Sequence, residues 1–320
     1  MSISAAPVAR TTAFPTLGTR RVAVTGATGL IGRALVAFLI DSGHEVLRLT
    51  RRPNRTDGVV RDVGWDPASG QIDAAALEGV DVVVHLAGEP VSERWTAERK
   101  QAIRDSRVRG TGLLASTLGR LTRRPSVLVS TSAVGYYGDG GDRVLDESSP
   151  PGRDFLSGVA RDWESATQPA AEAGIRVAIG RLGIVLSPQG GALAKLLVPF
   201  RMGAGGRIGD GLQWQSWISL DDTVGALEHL AFTDSANGPY NLVAPTPVRN
   251  DDFAHMLGHV LHRPALVPVP AFALKLAFGE MAEAVLLAGQ RASCDRLVAS
   301  GYQFRHPTLE EALRFELSRD

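Results

Sequence analysis

Gly26, Gly29 and Gly32 stand three residues apart, directly after the short run Arg21–Thr25 and directly before the apolar-periodic stretch Ala34–Ile40. A strand, a tight glycine turn and a helix start, in that order, leave the first backbone N–H groups of the helix uncrowded. Such a corner seats a phosphate or pyrophosphate. The residues expected at this seat are Gly26, Thr28, Gly29, Leu30, Ile31 and Gly32. Arg51 and Arg52 follow a second run, Glu45–Thr50, and paired guanidinium groups match a phosphate monoester in charge and in bidentate geometry. Hydroxyl chemistry is concentrated at Ser130, Ser132, Tyr136 and Tyr137. Ser132 either meets a substrate carbonyl or bonds its own backbone. Each tyrosine either walls a substrate or donates a proton, the latter only if a cation lowers its ordinary pKa of about 10.

The elements that must position these groups alternate. Strands are expected at Val22–Thr25, Glu45–Thr50, Val59–Trp65, Asp81–Leu86, Ser126–Ser130 and Ile175–Ile179, with helices over Leu30–Ser42, Thr96–Leu121 and Asp154–Ala173. Near-continuous Val/Leu/Ile runs mark a parallel sheet covered on both faces. The alternation predicts a doubly wound α/β fold of the Rossmann kind, with its ligand at the carboxyl ends of the strands. Residues 1–18 are expected to be a disordered leader, 19–185 the dinucleotide-binding domain and 186–320 a smaller α/β substrate lobe. In that lobe Tyr240–Val243 is expected to return to the main sheet, and Asp251–His262 and Leu309–Leu317 to be helices.

A dinucleotide fold that prefers NAD usually places an acid after its second strand, to accept from the adenosine ribose. Here Arg51 and Arg52 take that place, which predicts NADP(H) with its extra 2′-phosphate. Leu86, Ala87 and Gly88 close the fourth strand with small residues against which the dinucleotide can lie, and Ser130 is expected to join them. Trp65 ends the third strand, where adenine is expected to rest.

Bulk composition excludes several classes. Lys+Arg and Asp+Glu balance at 34 each, so there is no basic excess to drive nucleic-acid binding by counterion release. Cys294 is the single cysteine, which rules out an intrachain disulfide and fits a reducing, cytoplasmic setting. The first residues have no apolar core of a secretory signal. Charges and prolines interrupt the apolar stretch Ala265–Leu287, so it is expected to be a buried or interface helix rather than a membrane span of about 18 residues. His255 and His259 share a helix face, but no Glu stands at 256 and no Cys is near, so no metal site is expected. Neither a Gly-x-Ser-x-Gly elbow nor a phosphate-binding Gly-x-x-x-x-Gly-Lys loop occurs.

The stretches 24–32, 85–88, 130–138 and 217–222 resemble the extended short-chain dehydrogenase/reductases, the superfamily of NAD(P)-dependent epimerases and dehydratases. From about Arg21 to its end the chain is similar to an atypical branch, the "epimerase family proteins", whose tail is a domain of unknown function. The resemblance implies an oxidoreductase or isomerase on a small polar, sugar-derived substrate, with Ser132 and the Tyr137-Gly138 pair at the reaction site. It also implies a role for Arg181 at the start of a substrate loop, either on an anionic substrate group or as an anchor. A homodimer through paired long helices is in keeping with the superfamily.

The departures are equally informative. The superfamily's Tyr-x-x-x-Lys pair falls here on Leu156 and Ala160, neither of which transfers a proton, and Arg107 stands where an asparagine is common. A catalytically inactive NADP(H) sensor is therefore the competing expectation.

Overall fold

The computed structural model describes residues 18–54 and 56–318, so the expected leader lies, apart from Gly18, outside the described residues. Seven strands form a parallel sheet: β1 (Arg21–Thr25), β2 (Glu45–Thr50), β3 (Val60–Asp66), β4 (Val82–His85), β5 (Val127–Ala133), β6 (Arg176–Leu182) and β7 (Gly238–Leu242). Their order is β7-β6-β5-β4-β1-β2-β3, with the two-residue strands Thr56–Asp57 and Gln71–Ile72 pairing antiparallel with β3. Chain order reverses between β1 and β4, so a crevice opens at the carboxyl ends of these two strands.

The strands form where the sequence is continuously apolar because helices cover both faces. On one side α1 (Leu30–Asp41) and α6 (Leu220–Phe232) bury Leu35, Leu39, Leu227 and Leu230 against Val22, Val24 and Val84. On the other, α2 (Ala97–Arg120) buries Leu114 and Leu118 against Ala23, Leu47 and Val83. Each such aliphatic side chain contributes about 1.5–3 kcal/mol. Thr96 caps α2 by accepting the Arg99 amide, and Gly43, at φ +83°, closes α1.

Three expectations are corrected. The helix expected over Asp154–Ala173 is two, α3 (Phe155–Ser165) and α4 (Gln168–Glu172), because Pro169 can only begin a helix at this point. Both β5 and β6 run further than expected, so Ser132 and Arg181 lie within strands rather than after them. As expected, strand β7 returns from the second half of the chain to the main sheet, and α6 joins its covering layer. The stretch Ala265–Leu287 is not one buried helix. It holds α8 (Ala271–Phe278) and a π-helical turn at Ala282–Leu287, and Phe272 and Leu276 are 75% and 78% exposed.

The remaining lobe has its own core, in which α5 (Gly191–Arg201), α7 (Asn250–Leu261) and the helix Leu309–Leu317 pack Leu193, Phe200, Leu257 and Leu313 around Trp217.

Candidate active site

Three glycines shape the β1–α1 corner for steric reasons. Gly26 has φ +64°, and a side chain there would put Cβ 2.9 Å from the Leu86 carbonyl carbon. A Cβ on Gly32 would lie 2.1 Å from the Gly26 carbonyl oxygen, and one on Gly29 would lie 3.2 Å from it. The turn is therefore pressed against its own helix and against the end of β4. The Gly29 amide closes the turn on the Gly26 carbonyl at 2.9 Å, and the first helical bond is Arg33 N–H to the Gly29 carbonyl. The amides of Leu30, Ile31 and Gly32 lack intrahelical acceptors, no side chain caps them and no acid lies in the first turn. In contrast, α2, α3 and α6 are each capped, by Thr96, Asp154 and Ser219.

The end of β4 is held to this corner by a buried relay. Thr25 Oγ1 accepts the amides of Leu86 (3.1 Å) and Ala87 (3.2 Å), so its proton goes to His85 Nδ1 at 2.7 Å. That leaves His85 Nε2 to donate to Thr111 Oγ1 at 2.9 Å. Burial pulls the His85 pKa down to about 4, so the ring stays neutral and keeps this arrangement. The relay was not foreseen from sequence, although His85 lies in a stretch already singled out.

At the end of β2, Arg51 and Arg52 are exposed, and neither guanidinium has a hydrogen-bond or ion-pair partner among the described residues. Trp65 is not an open platform. Its ring is buried, meets His85 edge-on at 5.9 Å and lies against Gly110 of α2. Ser130 is buried inside β5, in register with His85, which leaves little of it for a ligand to touch.

Residues expected to do chemistry meet one another at the ends of β5 and β6. Ser132 is 2% exposed and its hydroxyl donates to Glu164 Oε1 of α3 at 2.8 Å. Arg181 is 3% exposed and grips both oxygens of the same carboxylate, at 2.8 Å each. Arg181 Nη1 also donates to Tyr137 Oη at 2.9 Å, and Tyr137 Oη donates to Asn241 Oδ1 at 2.7 Å. Burial pushes the Tyr137 pKa up to about 12, against the opposing pull of Arg181. These contacts bear on the readings left open for three residues. Ser132 does not offer its hydroxyl to the cleft, Tyr137 is not a ready proton donor, and Arg181 acts as an anchor because Glu164 already neutralises it.

Tyr136 differs from these three. It is half-buried on the turn after β5, its ring lies over the Arg181 guanidinium at 3.6 Å, and its hydroxyl has no partner among the described residues. Leu156 faces the same turn, since a Cβ on Gly135 would come within 3.9 Å of it. An apolar side chain thus stands where the sequence comparison looked for a tyrosine.

The loop after β4 is tied to the second lobe. Arg94 donates to the carbonyls of Leu276 (3.2 Å) and Ala277 (3.3 Å), Lys195 to Ser92 Oγ at 2.8 Å, and Lys100 pairs with Glu280. The lobe therefore roofs the strand ends. Among the described residues no cluster of three His, Cys, Asp or Glu could hold a metal, and no helix is long and apolar enough to cross a membrane.

Known proteins resemble this chain in sequence and in fold. The profile of the NAD-dependent epimerase/dehydratase family matches residues 22–242, and that of a domain of unknown function (DUF1731) matches residues 269–316. An epimerase family protein of Mycobacterium bovis is 42% identical over 299 residues, 93% of this chain and 98% of its own length. A chloroplastic SDR39U1 homolog of Arabidopsis thaliana is 42% identical over 298 residues, 92% of this chain and 85% of its own. The crystal structure of human epimerase family protein SDR39U1 with NADPH superposes with a TM-score of 0.85 at 34% identity, covering 94% of this chain and 100% of that one.

Proposed function

The chain belongs to the NAD-dependent epimerase/dehydratase family, and on that premise we propose that it binds NADP(H) and performs slow hydride chemistry on a small polar, sugar-derived substrate. One observation carries the choice of coenzyme: two exposed guanidinium groups, Arg51 and Arg52, with no hydrogen bond or ion pair among the described residues, stand beyond β2 where the adenosine half would end. The open α1 amides would hold the pyrophosphate, in a cradle that a single Cβ on Gly26 or Gly32 would fill. The NADPH held by the human relative supports the same reading. When bound, the coenzyme supplies or accepts the hydride.

The chain's own task is then to orient a substrate carbon and to move a proton. Tyr136 is proposed for the proton, because Ser132 and Tyr137 are committed to Glu164 and Asn241. With no lysine beside it, the rate is expected to fall about a hundredfold to ten-thousandfold below that of a complete acid/base pair. The test is NADPH oxidation over a panel of small carbonyl compounds. Tyr136→Phe is expected to lower the rate at least about tenfold while NADPH binding persists. Unchanged oxidation would remove Tyr136 from this role.

The internal commitment of Ser132, Tyr137 and Arg181 favours one second reading, a coenzyme-binding sensor without turnover. Tight NADPH binding with no oxidation of any panel member would select it.

A further inference from the structure

A charged side chain outside the machinery described so far lies against the cleft. Arg107 of α2 presses its guanidinium on the Gly88 backbone, where an added Cβ would come within 3.1 Å of Cζ. Its Nη1 donates to the carbonyls of Glu89 (2.9 Å) and Ile103 (3.2 Å), and the group lies 5.0 Å from the centre of the Trp163 ring. No carboxylate bonds it among the described residues. Glu89 is taken by Arg99 at 3.3 Å, and Asp162 by Arg104 at 2.7 Å. Burial lowers the Arg107 pKa to about 10, which leaves it charged at neutral pH. It is thus a fixed positive charge held by neutral carbonyls and an aromatic face, with the Glu89 carboxylate near enough to stabilise it without bonding it.

Its place follows from the sheet order. β2 and β4 flank β1 on opposite sides. With the pyrophosphate at the β1–α1 corner and the adenosine half running toward Arg51 and Arg52, the nicotinamide half must run the other way, over the ends of β4 and β5. Gly88 and Arg107 lie there. An oxidised nicotinamide ring carries a positive charge and a reduced ring is neutral. A nearby fixed cation in a site of low dielectric opposes only the first.

We infer that Arg107 is an electrostatic discriminator that makes the cleft hold the reduced coenzyme in preference to the oxidised one. The inference rests on the coenzyme reading above. The same charge stabilises the bound reduced ring against giving up its hydride, which favours retention of NADPH over rapid turnover.

The experiment is a fluorescence titration with NADPH and its displacement by NADP+, on the wild type, Arg107→Lys and Arg107→Met, with circular dichroism confirming each fold. The wild type is expected to prefer NADPH roughly tenfold. Arg107→Lys should keep most of that ratio, and Arg107→Met should bring it toward unity, mainly by improving the affinity for NADP+. Equal wild-type affinity for both forms would overturn the inference without touching the coenzyme reading, and needs no variant. A proportional weakening of both forms in Arg107→Met would also overturn it, marking Arg107 as a structural or phosphate-facing group. Binding of neither form by the wild type would overturn the coenzyme reading and the inference with it.

Discussion

The two ends of the crevice treat their polar groups in opposite ways. Around β1, β2 and α1, amides at a helix start have no intrahelical acceptor, and two guanidinium groups have no hydrogen bond or ion pair among the described residues. Around β5 and β6, Ser132, Glu164, Arg181, Tyr137 and Asn241 satisfy one another in a buried chain. Unspent groups at the first end are available to a ligand. Spent groups at the second end hold α3, β5 and β6 together, while the Tyr136 hydroxyl there has no partner among the described residues. Residue types suited to catalysis have thus become structural at the second end.

The largest effect that would break this contrast is at Glu164. Its removal by Glu164→Ala leaves the Arg181 charge buried and unpaired, so denaturant unfolding should show a loss of about 3–5 kcal/mol. A loss below about 1 kcal/mol would mean that the chain of contacts is not structural. Next is Gly32→Ala, whose added Cβ meets the Gly26 carbonyl oxygen at 2.1 Å. It should abolish NADPH binding and cost up to about 3 kcal/mol by overpacking, both readable from a melt with and without coenzyme.

A pH-dependent effect sharpens the comparison at a carboxyl group that the described residues satisfy only in part. Glu228 of α6 has a buried Oε2 without a hydrogen bond, and burial raises its pKa from 4.5 to about 7. The raised value means that the folded state favours the protonated form. Its contribution to stability is fully present below pH 4.5 and is lost as pH rises through 7. Glu228→Gln should therefore match the wild type in melting temperature at about pH 4 and exceed it increasingly up to about pH 8. A constant difference across that range would contradict the assignment.

Much of this was legible because it depends on short-range pattern. Val22–Thr25, Asp81–Leu86 and the glycine spacing reported strand, turn and helix start, since a parallel strand must be apolar on both faces and only glycine fits the corner. Arg51 and Arg52 were singled out by position, and the structure leaves both exposed at the end of β2. Pairings across the sheet were not. Glu164 meets Ser132 and Arg181 from a different element, and no local rule shows that a carboxylate will neutralise an arginine 17 residues further on. The same holds for Arg107, whose type was noted but whose contact with Gly88 depends on how α2 lies on the sheet. Apolar content did not show that Ala265–Leu287 is divided into α8 and a π-helical turn, with Phe272 and Leu276 exposed on the short helix.

The central claim is that the open end of the crevice seats a dinucleotide whose extra phosphate is read by Arg51 and Arg52. Calorimetric titration with NADPH and with NADH, on the wild type and on Arg51→Ala/Arg52→Ala, tests it most directly. The wild type should bind NADPH roughly ten- to a hundredfold tighter than NADH, the double variant should bind the two alike, and its affinity for NADH should be unchanged. Equal affinities in the wild type, or a preference for NADH, would contradict the account.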